Sequence, residues 1–126
     1  MARKKSPSLT DAELRLMNVI WRKGSATVSD VVESLEGDPP LHYSTVLTTL
    51  RILETKGYLK HRKEGRAFVY RPAVKREQER DKAVGHLLRR FFNGSAELLM
   101  LNLVERKGVT TEELERLRKR ISEEDV

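Results

Sequence analysis

Tyr43-Ser44-Thr45-Val46-Leu47-Thr48-Thr49-Leu50-Arg51-Ile52-Leu53-Glu54-Thr55-Lys56, closed by Gly57, is the stretch that decides how this chain folds. At about 100° per residue, Val46, Leu50 and Leu53 gather on one side of a helix with Thr49 at the edge. The opposite side carries Ser44, Thr48, Arg51 and Thr55, flanked by Thr45, Leu47 and Ile52. An ordinary surface helix would show Glu and Lys there. This one shows small hydroxyls, methyl-bearing groups and a single Arg, the side chains with which a helix reads base edges in a major groove about 12 Å wide. A Thr-rich helix lying against another protein would have the same pattern, and the pattern alone leaves both open.

The segments before it are two shorter helices. Thr10-Asp11-Ala12-Glu13 is a capping box, after which Leu14, Met17, Ile20 and Trp21 recur at helical spacing, giving a helix over 10–23 that stops at Gly24. Ala26-Thr27-Val28 is short and β-prone, and Thr27 or Ser29 can cap a second helix carrying Val31, Val32 and Leu35. Gly37-Asp38-Pro39-Pro40 ends that helix. The residues through Ser8 read as a disordered tail. After Gly57, two alternating runs flank Lys63-Glu64-Gly65-Arg66 and predict a β-hairpin closed by Pro72, with Lys60, Arg62, Lys63 and Arg66 on or beside its tip. Three helices, a short β segment and a terminal hairpin, in that order, make a winged helix-turn-helix. His42 and Tyr43 are placed to cap or to meet a nucleic-acid backbone, although a lone His before a helix is more often a plain surface residue.

From Ala73 the pattern is helical and more apolar. Val84, Leu87, Leu88, Phe91 and Phe92 form one broad stripe, and Asn93-Gly94-Ser95 breaks it. A helix over 96–106, with Leu98 to Val104 apolar nearly all round, ends at Gly108. Thr110-Thr111-Glu112-Glu113 is a further capping box, opening a last helix with Leu114, Leu117 and Ile121 on one face. The expected fold is therefore mainly α with a small β-hairpin: an N-terminal winged helix-turn-helix over 9–73 that binds DNA, and a C-terminal three-helix dimerisation region over 74–126. Residues 74–126 are too few to bury their apolar stripes alone, so they want a partner copy or the winged domain itself.

The whole chain has 126 residues, of which 38% are hydrophobic and 35% charged, enough for a modest core. Residues 1–73 carry 13 Lys and Arg against 8 Asp and Glu, whereas residues 74–126 carry 12 against 11. A basic first half beside a nearly neutral second half fits a polyanionic partner for the first, or a basic surface that serves only solubility, and composition alone leaves both open. The absence of cysteine removes disulfides, thiolate metal sites and thiol redox sensing. No apolar run approaches the roughly 18 residues of a membrane span, and the charged N-terminus lacks the apolar stretch of a signal peptide, so the expected location is cytoplasmic. There is no HExxH and no Gly-rich phosphate loop, and His42, His61 and His86 fall in separate elements without ligand spacing. No catalytic residue, metal or cofactor is expected, and the chain is not read as an enzyme.

Five stretches in order carry a resemblance that spans Leu9 to Ile121. They are Leu9-Thr10-Asp11-Ala12-Glu13 with Met17-Asn18-Val19-Ile20-Trp21; Tyr43 to Leu50; Leu53 to Leu59; Gly65-Arg66-Ala67-Phe68-Val69-Tyr70; and Phe92-Asn93-Gly94-Ser95 with Leu101-Asn102-Leu103-Val104-Glu105. Together they resemble the BlaI/MecI family of penicillinase and methicillin-resistance repressors, regulators of transcription in antibiotic resistance. The resemblance implies a homodimer on a TACA/TGTA-type palindromic double-stranded operator. It also implies inactivation by a membrane zinc protease that senses β-lactams and cuts an Asn-Phe bond in the second C-terminal helix. The matching position is Asn102-Leu103: the Asn agrees, the Phe does not. Well-known members carry basic residues where this chain has Ser44 and Leu47. Related copper-responsive repressors have a cysteine-rich C-terminus that is absent here.

The residues expected to meet DNA are Ser44, Thr45, Thr48 and Arg51 in the groove, with Lys63 and Arg66 on flanking phosphates. Two other functions fit the same sequence: a winged-helix module whose basic face binds an acidic protein, and a DNA-binding regulator released by a small ligand.

Overall fold

A computed structural model describes residues 9–35 and 40–124. The expected tail through Ser8 and the Gly37-Asp38-Pro39 break lie outside the described residues. The order is α1 (Asp11–Lys23), β1 (Ala26–Thr27), α2 (Val28–Ser34), α3 (Tyr43–Thr55), β2 (Leu59–Glu64), β3 (Ala67–Pro72), α4 (Arg76–Phe91), α5 (Ala96–Arg106) and α6 (Thr111–Glu124). The chain divides into two compact units, one running through Ala83 and one from Val84, so the division falls within α4.

Local chemistry starts the first two helices. Thr10 accepts from the Glu13 amide at 3.1 Å while the Glu13 carboxylate accepts from the Thr10 amide at 2.9 Å. Thr27 and Asp30 repeat the reciprocal pair at α2, both at 3.0 Å, which makes Thr27 rather than Ser29 the cap. Each box satisfies two backbone donors that a helix start would otherwise leave unpaired. Gly24, at φ +86°, ends α1 in a backbone region open to glycine.

The core of the first unit is made by α1, α2, α3 and the sheet. Leu16, Met17, Val19 and Ile20 from α1 meet Val28 and Val31 from α2, Val46, Leu50 and Leu53 from α3, and Tyr58, Leu59 and Tyr70. Leu14, expected on the buried stripe, is exposed. The buried face of α1 is rotated to run through Glu13, Leu16, Met17, Val19 and Ile20, and Leu14 instead borders a groove beside Trp21.

The sheet has strand order β1-β3-β2, all antiparallel, with Ala26 opposite Tyr70 and Leu59 opposite Pro72. The two-residue strand after α1 thus pins the base of the hairpin beneath the helices. Trp21 closes this region, its indole Nε1–H donating to the Val74 carbonyl at 3.0 Å with the Arg76 guanidinium 5.6 Å from its ring. Among the described residues no buried side-chain polar atom lacks a hydrogen-bond partner.

The second unit contains the end of α4, with α5 and α6. Ser95 caps α5 by accepting from the Leu98 amide at 3.1 Å, and Thr110 caps α6 by accepting from the Glu113 amide at 3.1 Å. Val84, Leu87, Phe91, Leu98, Met100, Leu101, Val104, Leu117 and Ile121 are all exposed, Phe91 to 67%. Among its described residues none is buried. No described helix is long and apolar enough to cross a membrane.

Candidate nucleic-acid interface

The helix α3 is oriented by three side chains. Val46, Leu50 and Leu53 are each fully buried, which fixes the rotation of the helix about its axis and turns Ser44, Thr45, Thr48, Arg51, Ile52 and Thr55 to solvent. All four residues expected to enter a groove are therefore on one exposed face. At 1.5 Å per residue the 13 residues extend about 20 Å, with no carboxylate before Glu54.

The ends of the helix are set by backbone and charge rather than by side-chain caps. His42 occupies the N-cap position, is exposed, and its side chain makes no capping bond. At the other end Gly57 takes φ +91°, and the Tyr58 amide donates to the Leu53 carbonyl at 2.9 Å. Lys56 reaches Glu13 at 2.7 Å, tying the end of α3 to the start of α1. Burial pushes the Glu13 carboxyl up, but the hydrogen bonds from Lys56 and the Thr10 amide outweigh it and hold the carboxyl below its ordinary value.

Three threonines on α3 turn their hydroxyls back onto the helix. Thr48 Oγ1 donates to the Ser44 carbonyl at 2.9 Å, Thr49 to Thr45 at 2.9 Å and Thr55 to Arg51 at 3.0 Å. The hydroxyl hydrogen of Thr48 is thus already used within the helix.

The hairpin stands beside this face. Gly65, at φ +60°, is the first residue of a two-residue loop, Gly65-Arg66, between the facing pair Glu64 and Ala67. Lys63 lies opposite Phe68 and His61 opposite Tyr70, so these four project from one face of the hairpin. That face is turned to α3. His61 Nδ1 is 2.7 Å from both carboxylate oxygens of Glu54, and its ring meets Phe68 edge-on at 4.9 Å. Burial and then the Glu54 carboxylate raise the Tyr70 phenol above its usual value, with Arg51 opposing, so Tyr70 stays neutral.

Between hairpin, α3 and the start of α2 is a cavity of about 240 Å³ lined by Thr27, Ser29, Tyr43, Leu47, Arg51, Arg66 and Phe68 among others. It brings Arg51 of the helix and Arg66 of the hairpin to one groove. Lys60, expected near the tip, lies at the far end of the hairpin opposite Arg71, and Arg62 is paired with Glu64 at 3.3 Å. Among the described residues the charged ends of Arg51, Lys63 and Arg66 enter no ion pair and no hydrogen bond. The site therefore offers cations that have no ion-pair partner among the described residues, beside a helix face free of acid, a surface suited to a polyanion.

Leu47 and Phe68 are among the lining residues outside the expected set of DNA contacts, and Tyr43, placed by the sequence to cap or to meet a nucleic-acid backbone, lines the same cavity. Leu47 was legible as a residue flanking the outward side of the helix, but Phe68 alternates along its strand and only the hairpin's placement shows which way it faces. Asn102 and Leu103 lie together in α5, Asn102 half-buried and Leu103 37% exposed.

The chain is similar to known proteins over almost its whole length. A family model described as penicillinase repressor matches residues 9–123. A penicillinase repressor from Bacillus licheniformis is 36% identical over 114 residues, covering 90% of this chain and 89% of that protein. The methicillin resistance regulatory protein MecI of Staphylococcus aureus strain N315 is 26% identical over 114 residues, covering 90% and 93%. Among solved structures, the DNA-binding domain of the repressor BlaI is 40% identical, covers 59% of this chain and 90% of that one, and superposes with a TM-score of 0.51.

Proposed function

The chain belongs to the penicillinase repressor family, and from that premise we propose that it is a homodimeric, sequence-specific repressor of transcription acting on a palindromic operator in the cytoplasm. The observation that carries the proposal is the exposed face of α3, rotated outward by Val46, Leu50 and Leu53, with Arg51 and Arg66 lining one groove and, among the described residues, in no ion pair. Ser44, Thr45, Thr48 and Arg51 enter the major groove, and Lys63 and Arg66 hold flanking phosphates.

Dimerisation is supported by the second unit, whose apolar side chains on α4, α5 and α6 are exposed in a single copy. A second copy gives those faces a partner, and a two-fold protein suits a two-fold operator. Residues 9–73 serve as the DNA-binding domain and 74–126 as the dimerisation domain. Joining two reading heads makes the second binding step intramolecular, so separating them weakens binding sharply. Cleavage at Asn102-Leu103 by a membrane sensor-protease would separate them, because it removes the rest of α5 and all of α6.

The test is a fluorescence-anisotropy titration of a TACA/TGTA palindrome and a scrambled duplex at two salt concentrations. The proposal expects tighter binding to the palindrome by about 10³-fold or more, with a steep salt slope. Equal, salt-sensitive affinity for both duplexes would remove the sequence-specific reading of that operator. Absence of binding to either would favour a module for acidic proteins.

A further inference from the structure

We propose that Thr48 selects thymine through its γ-methyl group rather than through its hydroxyl. The inference rests on the reading of α3 as the helix that enters the major groove, and concerns how one residue of that helix discriminates between bases.

Thr48 is exposed in the middle of the face, four residues after Ser44 and three before Arg51. Its β-carbon carries a hydroxyl and a methyl. The hydroxyl is turned back along the helix and donates to the Ser44 carbonyl at 2.9 Å. Its hydrogen is then spent inside the helix, and donating to a base acceptor such as guanine O6 or N7 would first break that bond. The methyl, unlike the hydroxyl, makes no hydrogen bond. The next residue along the same row, Ile52, is 44% exposed and extends the apolar strip.

In the major groove the only apolar group on a base edge is the C5-methyl of thymine. An exposed strip of Thr48 methyl and Ile52, beside a lone Arg, therefore matches a site in which thymine neighbours a base contacted by Arg51. Thr49 and Thr55 make the same back-bond, but Thr49 is half-buried and Thr55 lies in the last turn, so neither occupies the centre of the face. Thr48 is thus a specificity-determining residue, and what it recognises is a methyl.

The experiment uses the full chain and a duplex that the chain itself selects from a random-core library. Each selected thymine is replaced in turn by deoxyuridine, which differs only in lacking the methyl, and affinity is read by anisotropy. At one thymine in each half-site the wild type should lose about fourfold per half-site, the worth of one buried methyl. Thr48→Ser, which keeps the hydroxyl, should lose as much on the thymine duplex and nothing more on the deoxyuridine duplex. Thr48→Val, which keeps the methyl, should keep the preference for thymine over deoxyuridine that Thr48→Ser loses. Deoxyuridine tolerated at every position overturns the proposal with no variant needed. Thr48→Val weakened while Thr48→Ser binds normally also overturns it, in favour of the hydroxyl. A selected consensus in either case leaves α3 as the groove helix. Selection that yields no consensus removes that reading and this inference with it.

Discussion

Lys56 Nζ lies 2.7 Å from Oε2 and 3.0 Å from Oε1 of Glu13, joining residues 43 positions apart. Glu13 is 5% exposed, and the same carboxylate closes the capping box of α1 by accepting from the Thr10 amide. One side chain therefore starts the first helix and anchors the end of the helix that carries the candidate interface. Because a buried carboxylate needs its partners, removing either the charge or the cation leaves the other group desolvated and unpaired.

Glu13→Gln is expected to destabilise the first unit by about 2–3 kcal/mol at neutral pH. The Glu13 carboxyl is held below the ordinary glutamate value of 4.5, so its stabilisation is complete above that value and is lost as pH falls through the lower folded-state value. The difference between wild type and Glu13→Gln, measured by urea unfolding, should therefore shrink below about pH 4.5. A difference that stays constant into acid would mean that the pair does not carry the stability.

Thr48→Glu places a carboxylate in the middle of the exposed α3 face without touching the core. Specific duplex binding should fall below detection while sedimentation still reports the wild-type assembly. Unchanged affinity would show that this face does not meet DNA.

Arg66→Ala removes a cation from the hairpin turn that has no ion-pair partner among the described residues. Binding should weaken by a similar factor on palindromic and scrambled duplexes, and the slope of log affinity against log salt should become shallower by about 0.9 for each phosphate that is no longer neutralised. A change confined to one sequence would assign Arg66 to a base edge instead.

Leu101→Asp puts a charge on an apolar side chain that is 48% exposed in α5. Sedimentation should show a monomer, circular dichroism should show the first unit intact, and affinity for a two-half-site duplex should approach that for a single half-site. A dimer that survives this change would move the interface off α5.

Glu13 illustrates how far the sequence can be read. Its place in a Thr-Asp-Ala-Glu box was visible because capping depends on spacing of three residues. Its ion pair with Lys56 was not, because nothing local to either residue encodes a contact between α1 and α3. The outward face of α3 was visible for the same kind of reason: Val46, Leu50 and Leu53 repeat at the helical period, so burying them fixes what is exposed. Leu14 shows the limit of that argument. Periodicity placed it with Met17 and Trp21, but an apolar stripe wider than the core leaves its edge undetermined, and packing against α2, α3 and the sheet turned Leu14 outward.

The order of capping boxes, glycine stops and hydrophobic periods by itself determined the element sequence, the winged helix-turn-helix class and the acid-free face of α3, since each is a property of neighbouring residues. Tertiary structure alone decided that two residues after α1 pair with Tyr70 and Val69 to seat the hairpin, and that Phe68 shares a cavity with Tyr43, Leu47 and Arg51 of α3. It also decided that His61 meets Glu54 and that Arg66 shares a groove with Arg51. These depend on strand register and on the placement of the hairpin against the helix, where a shift of one residue would send every side chain to the opposite face.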